Sequence, residues 1–160
     1  MLILGIDTAT SQVGCAVGGH EGVIASAQAA KGRRHAENLA PQIRFVCEQA
    51  EVSLSDIGVV AVDLGPGLFT GMRVGIATAK GLAHALGVQM IGVPSLDLLA
   101  FPLRFTSRLI VAVIDARRGE VFHASYRQVP GGVQRVSEHE VGRPDDVASQ
   151  ITQFGEEVLM

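Results

Sequence analysis

Two acids end apolar runs and open polar turns. Asp7 closes the run from Leu2 and is followed by Thr8, Ala9, Thr10 and Ser11; Asp115 follows Leu109–Ile114 and leads into Ala116, Arg117, Arg118 and Gly119. A strand-end turn rich in hydroxyls and backbone N–H groups can hold a phosphate, or a phosphate-bound ion that the carboxylate reaches through water. Asp7, Thr8 and Thr10 are therefore candidate phosphate contacts, with Asp115 and Arg117 as their counterparts in the second turn. Facing each other, the two turns would clamp a nucleotide. The other reading stays open at both places. Asp, Thr and Ser in such turns commonly bond their own backbone, and Arg117 and Arg118 fill space where a glycine would admit a phosphate. His20, His35, His84, His123 and His139 are scattered singly, without the H-x3-H or HExxH spacing of a metal site. No side chain resembles an activated nucleophile beside its base.

A third feature is the run Gly65-Pro66-Gly67-Leu68-Phe69-Thr70-Gly71, which leads from an apolar strand into a helix. That is a general anion-binding arrangement. It lacks the Lys-Ser/Thr pair of a phosphate-binding P-loop, and Phe69 stands where G-x-S-x-G needs its nucleophile. Thr70 is the expected N-cap and Gly87 the expected C′ residue. Between them, Gly71, Gly75, Ala79 and Ala83 recur every four residues as a smooth stripe, and Arg73, Lys80 and His84 form the polar one. A helix apolar nearly all round should be buried nearly all round. One sheet covers one face, so the other meets either the Leu39–Ala50 helix of the same chain or another subunit.

The elements that must position these residues follow from periodicity. Leu2–Asp7, Val13–Gly18 and Val23–Ala27 read as an antiparallel meander. Leu39, Ile43, Val46, Cys47 and Ala50 share one helix face; Pro41 belongs in a first turn, so the helix should start near Asn38 with His35 at its entrance. Ile57–Leu64 is a buried parallel strand, Val88–Val93 another, and Ser95 should N-cap a short helix to Ala100. The pattern then restarts with strands at Leu109–Ile114, Glu120–Arg127 and Val133–Glu138 and a helix over Asp145–Phe154. This describes an α/β, ribonuclease-H-like unit followed by a partial duplicate: a first lobe over 1–100, a connector over 101–108 and a second lobe over 109–160. The second copy stops at Met160 before completing its own strand–helix–strand half, so either that lobe is abbreviated or the chain has been cut.

Composition narrows the function classes. Of 160 residues, 48% are hydrophobic and 18% charged, which excludes a disordered chain. Aromatics are 4% and the net charge is −3, which argues against a stacking platform or a direct grip on phosphate backbones; an RNA role needs a basic partner. No apolar run reaches membrane-spanning length, and Met1–Asp7 has no basic region of a secretory signal. Cys15 and Cys47 lie far apart without a CxxC, as expected of buried thiols in the cytosol.

The run Gly65-Pro66-Gly67-Leu68-Phe69-Thr70-Gly71-Met72-Arg73-Val74-Gly75, continuing into Ala79-Lys80-Gly81-Leu82-Ala83, resembles the TsaB/YeaZ family. Leu4–Thr10, His35–Leu39, Gly92–Leu96 and Asp115–Phe122 match its other motifs in order. The resemblance implies a two-lobed actin/Hsp70/sugar-kinase-like fold. It also implies a non-catalytic role in making N6-threonylcarbamoyladenosine in tRNA, beside the transferase TsaD, with the ATPase TsaE joining and tRNA met only indirectly. Association through the two first-lobe helices, with TsaD or with a second copy, would place Leu39, Ile43, Met72, Arg73, Gly75, Ile76, Ala79, Lys80 and Ala83 at the interface. Gly75→Leu or Ile76→Asp should then abolish association while the lobe stays folded. The H-x3-H metal pair of TsaD falls here on Ser95 and Leu99, which cannot replace two imidazoles. No metal and no cofactor of the chain's own is expected; ATP or ADP in the complex stays open. The alternatives are an ATP-dependent kinase or ATPase of the same fold, with Asp7 orienting the metal, and a metallopeptidase, which lacks the histidine pair.

Overall fold

The structure, a computed structural model, describes residues 1–30, 35–153, 155 and 157–160. Tight turns after Asp7 and Gly19 fold Leu2–Asp7 (β1), Val13–Gly19 (β2) and Gly22–Ala29 (β3) into an antiparallel meander. Ile57–Asp63 (β4) pairs parallel with β1, and Gln89–Val93 (β5) pairs parallel with β4, which gives the sheet order β3-β2-β1-β4-β5. Helices His35–Gln49 (α1) and Phe69–Leu86 (α2) supply the crossovers. Leu4 and Ile6 of β1, Val13, Cys15 and Val17 of β2, and Val60 and Val62 of β4 form one core with Leu39, Ile43, Val46, Ala79 and Ala83. The two-residue periodicity of those strand positions puts both helices on one face of the sheet.

Several boundaries differ from the sequence expectation for identifiable reasons. The helix α1 begins at His35 rather than near Asn38, so Pro41 lies inside it rather than in its first turn. The extra turn is held by His35, which is buried and bonded to the Thr10 carbonyl oxygen at 2.8 Å. Burial of one face outweighs the N–H that proline lacks. Thr70 is not the N-cap of α2: Leu68 occupies that place without a side-chain bond, and Thr70 is exposed. Gly87 does close α2 in the left-handed region, with φ of 67°.

The chain divides into two compact units, Met1–Val93 and Pro94–Met160. The second opens with helix Ser95–Ala100 (α3), which the sequence grouped with the first lobe. Leu96 and Ala100 instead pack against Ile110, Ala112, Ala124 and Tyr126 of the second sheet. Pro94, not Ser95, is the N-cap of α3, and Ser95 is buried. Strands Leu109–Arg117 (β6), Glu120–Val129 (β7) and Gly132–Arg135 (β8) form a second meander, with Glu140–Gly142 (β9) pairing on β7. Helix Pro144–Gln153 (α4) leads on to Val158–Leu159 (β10), which pairs parallel with β6. Phe154, to which the sequence extends α4, lies outside the described residues. The order β10-β6-β7-β8 repeats β4-β1-β2-β3 of the first sheet, so the duplicated pattern of acid-ended apolar runs corresponds to a duplicated topology. Among the described residues no helix is long and apolar enough to cross a membrane.

Candidate functional site

The glycine-bearing loop and the first turns of α2 lie directly on the β1–β2 hairpin. The Leu68 N–H donates to the Ala9 carbonyl oxygen at 2.6 Å, and the Thr8 hydroxyl donates to the Gly71 carbonyl oxygen at 2.8 Å. A Cβ on Gly67 would run into the Ala9 carbonyl, one on Gly71 into the Thr8 carbonyl, and one on Gly75 into the Thr8 hydroxyl. The motif's spacing is therefore a packing requirement: three backbone positions must approach two hairpin residues with no side chain between them. The entrance to α2 is thus faced by hairpin carbonyls, in place of the anion the sequence allowed there.

The hairpin's polar groups are largely committed to the chain itself. Asp7 Oδ1 accepts the Ala9 N–H at 3.0 Å, and Thr10 Oγ1 accepts the Gln12 N–H at 3.1 Å. Thr8 is fully buried, so its hydroxyl is not presented to a ligand. In the second turn, Asp115 Oδ1 accepts the Arg117 N–H at 2.8 Å, and Asp115 Oδ2 pairs with the exposed Arg117 guanidinium at 3.3 Å. Both acids thus make the self-bonded turns that stood as the alternative to phosphate clamps.

A third acid of this kind escaped the sequence reading. Asp63 ends β4, is 4% exposed, and accepts the Gly65 N–H on Oδ1 at 2.7 Å. It lies one residue past the Ile6–Val62 pair, which puts it beside Asp7 at the carboxyl edge of the two parallel strands. The signal was present in the sequence: another apolar run ending in Asp. Among the described residues no group of three or more His, Cys, Asp or Glu side chains could hold a metal ion.

The residues expected at a partner interface divide sharply. Leu39, Ile43, Gly75, Ala79 and Ala83 are buried in their own unit. The small-residue stripe packs on β1 and β4, and Gly71 and Gly75 bring it against Thr8 just past the end of β1. Met72 and Ile76 are half-buried, while Arg73 and Lys80 are exposed. The Arg73 guanidinium lies over the Phe69 ring, 5.4 Å from its centroid. The outward face of α2 also carries a second small-residue row, Ala77, Gly81 and Ala85, all exposed, and a Cβ on Gly81 would meet nothing. Beside it runs a groove of about 430 Å³ between α1 and α2. Ile43, Cys47, Val52, Leu54, Thr78 and Leu82 line it, and Arg44 and Glu48 stand on the α1 side.

The two thiols beneath this surface are not primed for chemistry. Burial, and secondarily Cys47, pushes the Cys15 thiol up to about 11 from 9.0. Burial, and secondarily Glu48, raises Cys47 as well. Neither forms a disulfide.

Comparison with known proteins agrees with this architecture. A family model described as tRNA N6-adenosine threonylcarbamoyltransferase, TsaD, matches residues 22–155. The chain is 34% identical to the tRNA threonylcarbamoyladenosine biosynthesis protein TsaB of Escherichia coli, over 98% of this chain and 69% of that protein. It is 40% identical to an uncharacterized protein of Mycobacterium leprae, over 91% of this chain but only 40% of the relative's length. Among solved structures, YeaZ from Pseudomonas aeruginosa superposes with a TM-score of 0.82 at 31% identity, covering 89% of this chain and 68% of that one. A ROK hexokinase from Thermus thermophilus, at 13% identity and a TM-score of 0.51, shares the fold alone. The chain belongs to the TsaB/YeaZ family, with the ribonuclease-H-like, ASKHA-type α/β fold.

Proposed function

We propose that this chain serves as a non-catalytic subunit in the formation of N6-threonylcarbamoyladenosine in tRNA, binding the transferase TsaD through the outward face of α1 and α2. The observation that carries this reading is the apolar groove between the two helices, flanked by the exposed row Ala77, Gly81 and Ala85. A partner helix needs such a surface: small residues allow close approach, and a groove receives its side chains. Phe69, Arg73 and Lys80 edge the contact, with Met72 and Ile76 on its flank. The same surface is open to a second copy of the chain when TsaD is absent. TsaE joins the assembly, and tRNA is met through the partners, since the chain's net charge of −3 does not favour phosphate backbones.

Family membership supports the role, and the resemblance, which sets Ser95 and Leu99 where TsaD carries its histidine pair, supports assigning the chemistry to the partner. The test is reconstitution of tRNA modification from TsaD, TsaE and a supply of threonylcarbamoyl-AMP, with and without this chain. Modification that depends on the chain, together with retention of TsaD on the immobilised chain, is the expected result. Full modification in its absence, or no retention, would refute the role.

A further inference from the structure

We propose that the β1–β2 hairpin is a clasp that couples the relative placement of α1 and α2 to the hairpin's own exposed tip, so that occupancy of the groove between the helices is reported at Thr10–Gln12. The inference rests on the docking reading only for what fills the groove; the coupling is a property of the free chain.

Consecutive hairpin residues are tied to different elements. Thr8 donates its hydroxyl proton to Gly71 in the first turn of α2, at 2.8 Å. The Ala9 carbonyl accepts from Leu68, the cap of α2, at 2.6 Å. The Thr10 carbonyl accepts the Nε2–H of His35, the first residue of α1, at 2.8 Å. Thr8 is fully buried and His35 is 7% exposed, so water does not readily replace either bond. On the α2 side there is no slack, because Gly67, Gly71 and Gly75 bring backbone against Thr8 and Ala9.

Elsewhere, along the groove, the two helices face each other across mostly apolar side chains, Ala40, Ile43 and Cys47 on one wall and Thr78 and Leu82 on the other. Such a seam is held by packing, so overpacking it pushes the helices apart, and the hydrogen-bonded ends must move with their helices. A body inserted into the groove therefore shifts His35 against Gly71, and the hairpin between them absorbs the difference. Its tip is placed to show it. Thr10, Ser11 and Gln12 are exposed, and the Gln12 N–H bonds the side chain of the same Thr10 whose carbonyl His35 holds.

The experiment places a wedge in the groove of the free chain from either wall, Ala40→Trp on α1 or Thr78→Phe on α2, and reads amide hydrogen exchange. In at least one folded wedge variant, exchange at Ala9, Gln12 and Leu68 should change about two- to thirtyfold, the span of coupling energies carried by packed networks. Adding His35→Phe, which keeps an aromatic ring at the site and removes the donor, should reduce that change to less than about twofold. Unchanged hairpin exchange in folded wedge variants would overturn the clasp, as would an undiminished change in the His35→Phe background. Since no partner is present, a negative result leaves the docking reading standing, and failure to retain TsaD leaves the clasp standing.

Discussion

Gly71 and Gly81 sit in one helix, yet a methyl group would meet opposite fates at the two. At Gly71 it would strike the Thr8 carbonyl, and at Gly75 the Thr8 hydroxyl, whereas at Gly81 it would meet open space. Gly71→Ala or Gly75→Ala should therefore destabilise the first unit by about 1–3 kcal/mol, the usual cost of overpacking. Gly81→Ala should stabilise it by about 0.8–1 kcal/mol through helix propensity. Chemical denaturation of the three variants checks both signs. Cys15 gives a second residue-scale expectation. Its folded thiol holds a proton up to about 11 against an ordinary 9.0, so its contribution to stability is complete below pH 9. Above that, the unfolded chain ionises first, and stability falls by about 1.4 kcal/mol per pH unit until the folded thiol ionises too. Thermal melts from pH 8 to 11 should show this decline, and Cys15→Ala should make it shallower, the remainder coming from Cys47 and Tyr126, which burial also raises.

At the scale of elements, local chemistry and packing can be separated. The β6–β7 hairpin turns on Arg118 and Gly119, both with positive φ, 57° and 80°, and Arg117 before them is also left-handed at 68°. Two central residues with positive φ make a type I′ turn, which favours Asn-Gly. Arg118→Asn should stabilise the second unit by about 1 kcal/mol, since asparagine tolerates that conformation better than other L residues; a rise in melting temperature is the readout. The helix α3 is held to its sheet by Leu96, Ala100 and the bond from the Tyr126 hydroxyl to Asp97 Oδ1 at 2.7 Å. Removing that hydroxyl in Tyr126→Phe should cost about 1–2 kcal/mol, because the acceptor is charged but partly exposed. The expected signature is faster amide exchange in α3 than in the β6–β7 ladder. Pattern alone could not assign α3 to its unit, since Leu96 and Ala100 would face inward on either sheet.

For the whole molecule, the surface that matters is the one α1 and α2 turn outward. Gly75→Leu, which the sequence recommends as a docking mutant, would instead break the first unit, because Thr8 occupies the space. Gly81→Leu is the clean probe: the chain should stay folded, melting no lower than the unmodified chain, while retention of TsaD falls at least tenfold, about 1.4 kcal/mol. Equal retention by Gly81→Leu and the unmodified chain would place the interface elsewhere. The sequence by itself determined the order of strands and helices, the repeated unit marked by acid-ended apolar runs, and the family, because periodicity, turn residues and a long glycine-spaced motif are local properties of the chain. It could not determine which side of α2 is free. Gly71-Gly75-Ala79-Ala83 and Ala77-Gly81-Ala85 have the same four-residue spacing, and only the position of the sheet distinguishes the row that is covered from the row that is open. Nor could it show what remained of the hairpin's hydrogen-bonding capacity, since Leu68, Gly71 and His35 reach Ala9, Thr8 and Thr10 only once the helices are packed.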